Sequence, residues 1–119
     1  MSDALDRVRE LRRAGFGFLA HRDEHGEIVT LEATRIYADH IETVLIHDEH
    51  DALAARCRDE DDPAVVWHRT GSTADVIADL LDLPAPGTRS APSLARAMPT
   101  DLWVPAAARR RSAAPRGWP

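Results

Sequence analysis

Apolar residues recur along this chain with two different periods, and the change from one to the other marks out its elements. Leu5, Val8 and Leu11, with Ala4 and Ala14, fall three or four positions apart, the spacing of one face of a helix. Asp3 stands where a cap would begin that helix, and Gly15 where a left-handed residue would end it. From Phe16 to Thr70 the period drops to two. Phe16 and Phe18 alternate with Gly17 and Leu19, and residues 28–37 set Val29, Leu31, Ala33 and Tyr37 against Thr30, Glu32 and Thr34. Residues 41–47 continue as a third strand and 64–70 as a fifth, carrying Val65, Val66 and Trp67. Between them, residues 52–58 are ambiguous: Ala-Leu-Ala-Ala-Arg is intrinsically helical, while its neighbours argue for sheet. Taken as the fourth strand, it turns Leu53, Ala55 and Cys57 inward and Arg56 and Arg58 outward. Asp23-Glu24-His25-Gly26, Ala38-Asp39-His40 and Asp48-Glu49-His50-Asp51 supply turns. The acidic run Asp59-Glu60-Asp61-Asp62 before Pro63 is another, since adjacent carboxylates cannot be buried together. Ser72 and Asp75 have capping-box spacing ahead of the stripe Val76, Ile77, Leu80 and Leu81, and Pro84 stops that helix.

The expected fold class is therefore α+β: an N-terminal helix, a five-stranded antiparallel meander and a C-terminal helix, with both helices on one face of the sheet. Residues 1–83 form the domain. Residues 84–119 are a tail of proline, alanine, serine and arginine that holds seven of the eight prolines. Its apolar groups are residues 94–98 and Leu102, Trp103 and Val104, which either strap onto the domain or engage a partner. Strapping is the favoured expectation, because an exposed Leu-Trp-Val cluster invites association.

Charge sharpens this division. Residues 1–83 carry nine arginines and nineteen acids, an excess of ten negative charges; residues 84–119 carry six arginines and Asp101. Every basic residue is arginine and none is lysine, which, with abundant alanine, points to a high-GC bacterial genome or one of its phages. Cys57 is the one cysteine, so no disulfide can form within the chain, and a reducing compartment fits. No apolar run approaches the length of a membrane span, and the first residues lack a secretion-signal layout, so the expected location is the cytoplasm, with no membrane partner.

Residues 65–77, Val-Val-Trp-His-Arg-Thr-Gly-Ser-Thr-Ala-Asp-Val-Ile, run into Leu80-Leu81-Asp82-Leu83-Pro84. This stretch resembles a class of small actinobacterial proteins in which a Trp-bearing strand, a Gly-Ser/Thr turn and a short helix ending in Leu-Pro close the domain. The resemblance covers roughly a sixth of the chain and implies no activity.

Three function classes compete for the remaining residues. In a meander the turns after strands one and three share a sheet end, which would gather His21, His25, His47 and His50 with Asp51 and the neighbouring acids; imidazole and carboxylate together suit zinc or another divalent metal. The plain alternative is a solvated polar rim. Arg109, Arg110, Arg111 and Arg116 could contact nucleic-acid phosphates, although the acidic domain repels a polyanion. Catalysis finds no support: Ser72 is accounted for as a cap, Cys57 as a small core residue, and Gly15-Phe16-Gly17 is not a phosphate loop. The class expected is a non-catalytic interaction module that acts as a homodimer or binds a protein partner, offering the uncovered sheet face with Ile28, Thr30, Ile36, Ile41, Thr43 and Leu45.

Overall fold

A computed structural model describes residues 2–93. The tail positions beyond Ser93, including Leu102, Trp103, Val104, Arg109, Arg110, Arg111 and Arg116, lie outside the described residues. Helix α1 spans Ser2–Arg13, so Asp3 falls inside its first turn, where it favours the helix dipole, and does not cap it. The helix ends as its glycine requires. Gly15 takes φ +100°, Phe16 N–H donates to Leu11 O and Gly15 N–H to Arg12 O, each at 3.1 Å, the paired bonds of a Schellman stop.

Five strands follow: β1 (Gly17–Arg22), β2 (Ile28–Tyr37), β3 (His40–Asp48), β4 (Asp51–Arg58) and β5 (Ala64–Gly71), then α2 (Thr73–Asp82). They form one antiparallel sheet in the order β1-β2-β3-β4-β5, the meander that period-two alternation predicts. The ambiguous stretch is a strand, paired with both β3 and β5. Ser72 caps α2, its hydroxyl accepting from Asp75 N–H at 3.2 Å, and the Thr73 hydroxyl donates to Asp48 O at 2.8 Å, tying the helix start to the β3–β4 turn.

Both helices cover the same sheet face. Leu11 of α1 and Val76, Ile77 and Leu80 of α2 pack with Phe16, Ala33, Val44, Ala52 and Ala54 in one buried cluster. Here the inward and outward assignment in β4 is reversed from expectation. Ala52, Ala54 and Arg56 face the helices, while Leu53, Ala55 and Cys57 join Val65 and Leu45 in a separate cluster on the opposite face. Side-chain size misleads at this strand, because the small alanines are what let α2 approach the sheet closely.

Arg56 is fully buried against the helices, and its charge is met there. Glu42 lies opposite both Arg35 and Arg56 in the ladder. Its Oε1 accepts from Arg35 Nε at 2.7 Å, and its Oε2 from Arg56 Nε at 2.8 Å and Nη2 at 2.6 Å. The outer nitrogens reach the helix ends: Arg35 Nη1 donates to Ala14 O at 3.0 Å and Arg56 Nη1 to Pro84 O at 2.8 Å. Arg35 is also stacked, its guanidinium carbon 4.9 Å from the Phe16 ring centre and 4.3 Å from that of Tyr37. Removing one member leaves the others charged and buried, so Glu42→Leu is expected to cost about 3–5 kcal/mol in urea unfolding. Arg35→Met, Glu42→Leu and Arg56→Met combined should recover most of that loss. A loss below about 1 kcal/mol for Glu42→Leu would mean that water already screens the cluster.

Candidate functional site

The described helices leave the second face of the sheet to itself, and burial along this face is uneven. Its centre is buried: Ile41, Thr43 and Ala55 are 0% exposed, Cys57 is 1% and Glu32 2%, whereas Leu45 and His68 are half-buried and Thr70 is exposed. Toward the β1 side and the ends of β2, Leu19, Ile28 and Ile36, which alternation places on this same face, are 46%, 55% and 59% exposed.

Polar groups mark one end of this face. His21 Nε2 lies 2.7 Å from Oε1 of Glu32, a buried carboxylate, so the imidazole donates and the carboxylate accepts. The Thr30 hydroxyl sits 2.9 Å from His47 Nδ1. His21 and Thr30 are opposite one another in the ladder, so His21 and His47 stand on either side of Thr30, each with a different bonding partner. His25 and His50 do not join them. Each stays in its turn beside its own neighbour, His25 3.7 Å from Glu24 and His50 3.9 Å from Glu49, while Asp51 opens β4 in an exposed position. Among the described residues, no three His, Cys, Asp or Glu side chains come together as a group able to hold a metal ion.

Glu32 and the Arg35–Glu42–Arg56 cluster escaped the sequence reading, because alternation sorts residues into faces without saying which face is dry. A signal was present: three charged residues placed within otherwise apolar strands on helix-facing positions, of alternating sign on successive strands. His40 and Asp39 form a smaller pair at the β2–β3 turn, Nδ1 to Oδ1 at 2.7 Å, and the bond from His40 holds the Asp39 carboxyl below its ordinary range. At the opposite layer, a cleft of about 340 Å³ opens between the helices, lined by Asp3, Asp6, Glu10 and Asp75 with Arg7, whose guanidinium bonds to Glu10 at 2.8 Å. It is solvated and acidic, with no group aimed into it that would define a ligand.

Cys57 is the remaining nucleophile, and the structure withholds it from chemistry. Burial pushes its thiol up to about 12, so the thiolate needed for attack is scarce near neutrality. Among the described residues no helix is long and apolar enough to cross a membrane. Comparison with protein-family models, with curated proteins and with solved structures finds no match for the chain.

The Cys57 shift has a consequence for stability. The folded state favours the neutral thiol, so this contribution is complete below the ordinary thiol value of 9.0 and is lost as pH rises toward about 12. Urea midpoints of the unaltered protein and of Cys57→Ala should run parallel below pH 9 and diverge above it, with the variant falling less steeply. Equal alkaline decline in both would show that the thiol ionises freely in the folded state.

Proposed function

We propose that the chain is a small non-catalytic interaction module that pairs with a second copy of itself through the β1 edge and the exposed apolar residues near it on the second sheet face. The observation that carries this reading is an edge strand, β1, with exposed Leu19 on it and exposed Ile28 and Ile36 at the two ends of its neighbour β2 on the same face. Single exposed apolar residues are ordinary on a protein surface; beside an unpaired strand edge they add to what a second strand can bury. β1 is that edge. It bonds to β2 on one side, and no described strand pairs with its other side. An open row of backbone donors and acceptors beside apolar side chains is a template for another strand.

Two features select a second copy as the occupant. The first is charge: β1, Gly-Phe-Leu-Ala-His-Arg, contains no acid, although the domain is strongly acidic. Bringing two β1 strands side by side therefore avoids the repulsion that other surfaces of the domain would meet. The second is symmetry. Antiparallel pairing about a twofold axis normal to the sheet keeps the same face of both copies on the same side, so the two Leu19 groups fall on one shared face across the new pair.

Light scattering at tens of micromolar should give twice the chain mass of 13.2 kDa. Leu19→Arg combined with Ile36→Arg should return the mass to that of one chain without loss of the far-ultraviolet sheet signal. A single-chain mass for the unaltered protein under those conditions would overturn self-pairing.

A further inference from the structure

We propose that two β1 strands pair with Leu19 on the twofold axis, so that Gly17 of each copy lies across from His21 of the other and sets this register. The inference rests on the self-pairing reading and fixes an alignment that self-pairing alone leaves open. Gly17 raises the question. Gly15, Gly26, Gly71 and Gly87 all take positive φ, which accounts for a glycine at each, but Gly17 lies in regular β1 without that need. Nor is space short: a Cβ placed on it would meet, among the described residues, Thr34 O at 4.0 Å and nothing nearer. The residue is exposed, on the strand that has no described partner along its outer side. Glycine within a strand weakens it through backbone entropy and lost packing, and suits a place where another chain approaches closely.

Symmetry leaves few alignments. Residues directly opposite in an antiparallel pair share a face, so the axis must pass between one residue of β1 and its own copy. With the axis at Leu19, residues 17–21 all pair, the whole run over which β1 keeps its regular ladder with β2. Each bulky side chain then meets a small one. His21 faces Gly17 on the second face, Phe18 faces Ala20 on the helix side, and Leu19 meets its copy between them. An axis at Phe18 would pair only residues 17–19 within the strand and bring two Phe18 rings together, each with the Arg12 guanidinium carbon 5.4 Å from its centre. An axis at Ala20 would set Leu19 against His21, leave Gly17 with no strand residue opposite and carry the pairing to Arg22, where the ladder with β2 slips. His21 has its own reason to face a glycine. Its Nε2 is held 2.7 Å from Glu32 of the same chain, so the ring cannot swing aside for a side chain across the new pair without losing that bond.

Cross-linking reads the axis directly. Gly17→Cys, Phe18→Cys, Leu19→Cys, Ala20→Cys and His21→Cys, each in the full chain carrying Cys57→Ala, are treated with a short bismaleimide, and the yield of linked chains should peak at Leu19→Cys. An equimolar mixture of Gly17→Cys and His21→Cys should link better than either alone. Gly17→Val should weaken self-association at least about tenfold in sedimentation while the far-ultraviolet sheet signal stays unchanged, because the single chain has room for the added side chain and the pair does not. Should that variant unfold, the linking series decides alone. A yield that peaks at Phe18→Cys or Ala20→Cys, or undiminished association of folded Gly17→Val, would overturn this register while self-pairing stands. A single-chain mass for the unaltered protein would overturn both.

Discussion

One carboxylate holds the two layers of this fold in register. Glu42 sits near the start of the central strand with a guanidinium from each neighbouring strand closing on one of its oxygens, and each guanidinium reaches outward to the backbone at the end of a helix. Ion pairs withdrawn from water return little net stability compared with apolar side chains of equal volume. What this one does is directional. Ala14 O and Pro84 O are carbonyls at points where helical bonding has run out, and a planar guanidinium can satisfy them while still gripping Glu42. The sheet thereby dictates where α1 must stop and where the chain must leave α2. Apolar packing among Val44, Ile77 and Leu80 would tolerate small slides of either helix; a fork of fixed geometry does not.

That anchoring has a consequence on the far side of the sheet. Because both helix ends are fixed over the same face, neither helix is available to the other, and the segment after Pro84 is directed toward the end of β4 where Arg58 takes up Ser93 O. The second face then carries residues that no described helix touches, buried at its centre and exposed at Leu19, Ile28 and Ile36. On the side of Leu19 it ends at a strand whose outer hydrogen-bonding groups have no partner among the described strands. The docking reading grows from this geometry.

Much of the architecture was legible because period and punctuation agree. Gly15, Gly26 and Ser72 each sit where the structure needs a left-handed residue or a cap, and the strand alternation from Phe16 to Thr70 yields the meander in order. Ala38 was not legible in this way: it takes φ +57° in a two-residue turn between Tyr37 and His40, a conformation that nothing in alanine advertises. The orientation of β4 was lost for a different reason. Alternation defines two sets of residues but not which set meets the helices, and the set with Leu53 and Cys57 looks more core-like than one made of Ala52, Ala54 and Arg56. Only the partner strand, with Glu42 across from Arg56, reverses that ranking. The histidines were partly legible. Topology brings His21 and His47 to one end of one face, whereas His25 and His50 sit in turns whose side chains diverge into solvent.

The two edges of the sheet show why association, if it uses an edge, should use β1. β5 is flanked on its N-terminal side by the acidic run Asp59-Glu60-Asp61-Asp62, and its pairing with β4 is interrupted by a bulge beside Cys57. Its Arg69 is engaged by Asp79 of α2, so the helix is drawn over that margin. Each of these features makes a strand edge less receptive to another chain. β1 has an irregularity only at its last residues, between His21 and Arg22, and is otherwise regular, without acid and bordered by apolar groups. Protection concentrated at one edge and missing from the other is the asymmetry expected of a sheet that extends in a single direction, because two equally open edges would allow pairing to continue from copy to copy without closing.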